Sequence, residues 1–146
     1  MYMYYKLIIV ILILILINII NYFINNNSFV NNKKIYYYLF NTPNSIEYGL
    51  MYKKNMPYNH IALFEFSNEE LRYFWMKNTY ISLDMIFLDR NYNIVGFIEN
   101  TKPLSLESLY INKKSKYVIE SNNGFVKTHN LNINDNINDK FKLIKY

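Results

Sequence analysis

From Leu7 to Ile17 every position is Leu, Ile or Val, and apolar residues continue through Ile19, Ile20, Tyr22, Phe23 and Ile24, broken only by Asn18 and Asn21. Such a run has no polar face, so it predicts a hydrophobic helix that stays out of water. The 18 residues from Leu7 to Ile24 would extend roughly 27 Å at about 1.5 Å per residue, close to the ~30 Å hydrocarbon core of a bilayer. Residues 1–24 are therefore read as a signal anchor or a signal peptide, with Lys6 as the positive flank. No Ala or Gly precedes Gly49, and the first Ser is Ser28, so small residues for a cleavage site are scarce and an uncleaved anchor is favoured. The expected partner of residues 7–24 is the lipid bilayer. The expected location is membrane-anchored or secreted, with the following domain outside the cytoplasm.

The pattern then changes twice. Residues 25–34, NNNSFVNNKK, are polar and lack periodicity, as a linker does. Beyond them the apolar runs are short: Ile35–Phe40, Ile61–Phe66, Leu71–Met76, Ile81–Leu88, Ile94–Ile98, Tyr117–Ile119 and Phe141–Ile144. Rich in Ile, Phe and Tyr and punctuated by Asn, Asp, Ser, Lys or Pro, they predict strands separated by turns. The hairpin signal falls at MIFLD-RNYN-IVGFI, where Asp89, Asn91 and Asn93 supply turn chemistry. Met85–Leu88 is apolar throughout, which predicts a strand covered on both faces. Single helical turns are expected around Glu47–Lys53 and Asn123–Asn130. The expected fold is an all-β single domain, sandwich-like or barrel-like, over residues 35–146 with one or two short helices.

Composition narrows the chemistry more than it reveals it. The chain has 146 residues, 24 of them Asn, 21 Ile, 16 Tyr and 14 Lys, against 3 Gly, 3 Pro, 2 Arg, 1 Ala and no Cys. Residues with A/T-rich codons are abundant and those with G/C-rich codons scarce, the signature of an AT-rich genome. Without cysteine, thiol catalysis, zinc-thiolate sites and disulfides are excluded. With so few glycines there is no phosphate-cradling loop, no dinucleotide fingerprint and no G-x-S-x-G elbow. His60 and His129 are 69 residues apart in polar surroundings and fit no local ligand motif, so no metal or other cofactor is expected. The net charge is +5. Its lysines, at Lys33-Lys34, Lys53-Lys54 and Lys113-Lys114-Lys116, are dispersed over loops with almost no Arg, so no nucleic-acid partner is expected. They suit a solvated face or anionic lipid headgroups.

The blocks GLMY (Gly49–Tyr52), MP (Met56, Pro57), ALFEF (Ala62–Phe66), FWMKNT (Phe74–Thr79), LDMIFLD (Leu83–Asp89), IENTKP (Ile98–Pro103) and YVIESNNG (Tyr117–Gly124) are collinear with the bacterial and archaeal family known as domain of unknown function 192. The chain resembles that family over about residues 46–137. The resemblance implies a compact, mostly β domain, often behind a signal peptide or anchor, with no established activity. Tyr48 stands where the family usually has Arg, Ala62 where it has Gly, and Asn134-Asp135 where a Gly-Asp turn is usual.

Alternation along FWMKNT puts Phe74 and Met76 on one side and Trp75 and Lys77 on the other. With Asn78, the latter two form an aromatic platform beside a cation and an amide, suited to a small polar or anionic ligand. The carboxylates within the motif blocks are Asp84, Asp89, Glu99 and Glu120. Asp84, at the head of an apolar strand, needs a partner, and Lys77 is the expected one. Glu99-Asn100 leaves a strand and would face Asp84 across a sheet end, where paired carboxylates permit acid and base work. The reading is a non-enzymatic binding or accessory module at the cell envelope, acting through Trp75, Lys77, Asn78, Asp84, Glu99 and Asn100. Its alternatives are a hydrolase using Asp84 and Glu99, and a protein-interaction module that adds a strand at a sheet edge.

Overall fold

The computed structural model describes residues 2–26 and 33–146. Most of the linker proposed at residues 25–34 lies outside the described residues. The chain forms two compact units, residues 1–31 and 32–146. In the first, α1 (Tyr2–Asn26) is a single helix, and its window Tyr4–Asn21 has a mean hydropathy of 2.3 with none of its surface buried.

The second unit is a six-stranded mixed sheet in the order β4-β3-β5-β2-β1-β6, where a sandwich or barrel was expected. Its strands are β1 (Lys33–Phe40), β2 (His60–Glu70), β3 (Leu83–Leu88), β4 (Ile94–Ile98), β5 (Ser115–Asn122) and β6 (Phe141–Lys145). The short helices are α2 (Pro43–Tyr48), α3 (Phe125–Thr128) and α4 (Ile137–Lys140). β1 lies between β2 and β6 and is parallel to both, whereas every other pairing is antiparallel. The expected strand at Leu71–Met76 is an extended segment tied down by one bridge, Phe74 to Leu109. The expected turn of helix at Asn123–Asn130 is α3. The one at Glu47–Lys53 is the end of α2 followed by turns, α2 being started by a Thr42 side chain that accepts the Ser45 N–H.

Alternation splits the sheet into two faces, each with its own core. Ile61, Leu63, Ile86, Leu88, Tyr117 and Ile119 pack with Phe125, Val126, Leu131 and Ile137. Ala62, Phe64, Leu83, Met85, Phe87 and Val118 pack with Leu50, Met56 and Met76. Helices and loops, not a second sheet, cover both faces. Every residue of β3 is buried, as its unbroken apolar run predicts. Both cores are built wholly from Ile35 and residues after it, so the second unit carries what it needs to fold alone.

Candidate functional site

A cavity of about 390 Å³ opens on the face carrying Phe64 and Met76. Its wall is α2 and the following turn (Ile46 to Met51), its floor is Phe64 and Phe66 of β2 with Glu120 of β5, and its other wall is the segment from Leu71 to Thr79. FWMKNT lies in that second wall as its alternation requires. Phe74 and Met76 turn into the core, while Trp75 and Lys77 stay exposed and line the cavity. The Lys77 ammonium sits 4.8 Å from the centre of the Trp75 ring, within cation–π range. Arg72 lines the same cavity, its guanidinium 4.0 Å from the Phe66 ring centre, and it donates to the carbonyls of Ser115 and Asn68. Burial lowers the Arg72 pKa, and neighbouring Glu70 opposes that shift.

Glu120 is the decisive residue. It occupies an inward position of β5, paired with Ala62 on one side and Met85 on the other, neither of which has a side chain that can donate a hydrogen bond. Only 5 % of it is accessible. Among the described residues no donor reaches its carboxyl, and burial alone pushes its pKa up to about 8. It therefore carries its proton at neutral pH, and that neutral acid both donates and accepts a hydrogen bond. Thr79, also buried, lines the cavity, and its hydroxyl donates to the Lys77 carbonyl at 3.3 Å. Tyr48, where the family resemblance leads one to expect Arg, stands half-exposed in the wall. The arrangement offers two cations, aromatic walls, the exposed carboxyl group of Glu47 and the neutral carboxylic acid of Glu120 around a small volume.

The six residues singled out in the sequence are divided between places. Trp75 and Lys77 line the cavity. Asn78 sits behind it at φ 55°, its amide donating to the Tyr52 hydroxyl at 2.8 Å and its carbonyl accepting the Tyr52 N–H at 2.7 Å. Asn78 thus ties the two walls together. Asp84 is on the other face and fully buried. Its Oδ1 accepts the Asn100 N–H at 3.0 Å and its Oδ2 the Val126 N–H at 3.1 Å. The expected Lys77–Asp84 ion pair is not among the salt bridges of the described residues. Backbone amides, not a lysine, satisfy this carboxylate. Asn100 extends the same node, its Oδ1 accepting from Ser82 and Asn123. Glu99 is exposed at the end of β4.

The sequence names Glu120 among the motif carboxylates without a role, and it does not point to Arg72. A signal for Glu120 exists, since a carboxylate two positions beyond Val118 in a strand must share its inward face. Arg72 lies outside the motif blocks and has no such signal. His60 packs among Tyr36, Tyr38 and Tyr146, and His129 between Phe125 and Phe141, with burial and then Lys33 lowering the His129 pKa. Among the described residues no group of three or more His, Asp or Glu could hold a metal ion.

The family model DUF192, described as Uncharacterized ACR, matches residues 26–138. The chain belongs to the DUF192 family. Among solved structures, a Sinorhizobium meliloti 1021 protein named provisionally as a transcription regulator is 35% identical with a TM-score of 0.67, over 68% of this chain and 78% of that one. A Novosphingobium aromaticivorans DSM 12444 protein of unknown function has a TM-score of 0.66 at 24% identity, over 68% of this chain and 71% of that one, which bears on the fold alone. No curated protein matches the chain. The cavity thus belongs to a DUF192 domain, and its FWMKNT wall is the block by which the family resemblance is most readily seen.

Proposed function

We propose that this DUF192 domain is a non-enzymatic binding module that takes a small polar or anionic molecule into the cavity between FWMKNT and β5. The observation that carries this reading is Glu120, a carboxyl lining a cavity with no hydrogen-bond partner among the described residues. The carboxyl oxygens open onto the cavity and are not sealed from it, so a ligand can supply the hydrogen bond that no side chain does. Lys77 and Arg72 favour negative charge on the ligand at their side of the cavity, Glu47 at the opposite wall favours a polar group, and Trp75 gives it a flat surface. The length and hydropathy of α1 support a bilayer anchor, and with it a place at the cell envelope.

The rival hydrolase reading needs Asp84 and Glu99 to share a substrate. Full burial of Asp84, with both oxygens taken up by backbone N–H groups, counts against it. Strand addition is disfavoured at β6, where Lys142 and Lys145 guard the edge.

The test is a thermal-shift screen of residues 33–146 against succinate, citrate, inorganic phosphate and glucose, repeated with Lys77→Ala and Glu120→Gln. At least one compound should raise the melting temperature, and both substitutions should shrink that rise. No stabilisation by any of them, or a rise that both variants retain, overturns the reading.

A further inference from the structure

Apart from the cavity, the same face of the sheet carries a half-buried aromatic ledge over β1 and β6. Lys34, Tyr36, Tyr38 and Phe40 alternate onto this face along β1. Lys142 pairs with Lys34 and Ile144 with Tyr36, so their side chains lie beside them, and Tyr146 continues the row next to Tyr38. From β2, His60 pairs with Tyr36 and stacks on it at 5.3 Å. The Tyr146 ring lies 5.2 Å from both Tyr38 and His60. The Lys53 ammonium sits 5.0 Å from the centre of the Tyr38 ring.

The opposite side of β1 differs. There Ile35 is fully buried and Tyr37 and Leu39 join the core beneath α3 and α4. On the ledge Tyr36, Tyr38, His60 and Ile144 are only half-buried, and Lys34, Lys142 and Tyr146 are exposed. Tyr36 and Tyr38 thus keep part of their rings accessible, while Ile35 beside them on the strand is fully buried. Along the part of β2 beside β1, from His60 to Phe64, and along β1 and β6 there is no acidic residue; Glu65 falls on the other face by alternation, and Glu69 and Glu70 lie at the far end of β2.

We propose that this ledge is a docking surface for an anionic lipid bilayer. Tyrosine rings with a polar tip and an apolar body settle at the headgroup boundary. Lysines near an anionic bilayer surface are each worth about 1 kcal/mol, and Lys34, Lys53 and Lys142 surround the rings with the required sign. The chain points the same way, because Lys33 follows the end of the apolar helix by only seven residues, a reach of at most about 25 Å. The docking needs no ligand in the cavity and stands apart from that reading.

The experiment is co-sedimentation of residues 33–146 at low ionic strength with vesicles of phosphatidylcholine alone, and with vesicles in which phosphatidylglycerol is the major lipid. Binding is expected to the anionic vesicles and not to the neutral ones, and added salt should abolish it. The double reversal Lys34→Glu/Lys142→Glu should lower the bound fraction more than about tenfold. Tyr36→Ser/Tyr38→Ser should weaken it at unchanged charge. The control Lys113→Glu/Lys114→Glu, on the loop before β5, should bind within about twofold of wild type apart from the effect of net charge. Circular dichroism confirms that each variant is folded. Three results overturn the proposal: no binding to anionic vesicles, equal loss in the control and ledge reversals, or binding to a single-stranded oligonucleotide but not to vesicles.

Discussion

The Oδ2 of Asp84 accepts the backbone N–H of Val126 at 3.1 Å, across 42 residues of sequence, at the point where α3 meets the head of β3. Its Oδ1 holds the Asn100 N–H, so one carboxylate fastens the β4 exit and α3 to the same strand. Removing it would strand two N–H groups. Asp84→Ala should cost about 1.5–4 kcal/mol, mainly from the buried Val126 N–H left unmade at about 1–3 kcal/mol, with a smaller part from the Asn100 N–H at the surface. Lys77→Ala, by contrast, should cost less than about 0.5 kcal/mol, being an exposed change. Urea denaturation of both variants separates them, and an equal loss would restore the ion pair expected from sequence.

Glu120 makes stability depend on pH in a definite direction. Its pKa is about 8 in the folded chain against an ordinary 4.5, so between those values the native state binds a proton that the unfolded state has released. By linkage, stability then falls as pH rises through that interval and levels off above it. The size is on the order of 4–5 kcal/mol. Glu120→Gln, which resembles the protonated acid, should abolish most of the fall. It should melt close to wild type at pH 5 and well above it at pH 9, as read by thermal denaturation across the range.

Gly96, in β4, has no room for a side chain. A Cβ there would stand 2.4 Å from the Cδ1 of Ile111, the movable end of a half-buried side chain. Gly96→Ala should therefore cost about 1–2 kcal/mol, toward the low end of overpacking costs. Ile111→Ala in the same chain should remove the clash, so a double-mutant cycle in denaturant should show coupling of at least about 0.5 kcal/mol.

Much of the fold can be read along the chain because short-range rules govern it. The apolar run Met85–Leu88 requires a strand with two covered faces, and the Asp89 carboxylate closes the following turn by accepting from the N–H groups of Asn91 and Asn93. Asn134, which stands where a Gly-Asp turn is usual, takes the left-handed conformation at φ 72°, and Asn78, Asn100 and Asn130 adopt it too. In the hairpin, however, Tyr92 takes the left-handed conformation and not its asparagine neighbours. The single mixed sheet escaped because parallel pairing of β1 with β2 and β6 leaves no local pattern, and because Leu50, Met56 and Leu131 bring core from loops. At the site, FWMKNT declared Trp75 and Lys77 through alternation. Asp84 misled because a buried carboxylate can be satisfied by amides as well as by lysine, and sequence does not show which.

Leu104 holds φ at 63° and is 54% exposed, a conformation that costs a branched side chain without repaying it by burial. Leu104→Gly should stabilise the domain by about 0.5–1 kcal/mol, the relief exceeding the entropy glycine adds to the unfolded chain. The denaturant midpoint should rise with an unchanged slope.

The central claim is that a neutral carboxylic acid waits in the cavity. Carbon-13 NMR of residues 33–146 labelled at the glutamate carboxyls, with Glu120→Gln to assign the signal, follows that group directly. A midpoint near 8 is expected for Glu120, with a change in its shift when an anion from the screen binds. Titration in the ordinary carboxylate range, near 4.5, would contradict it.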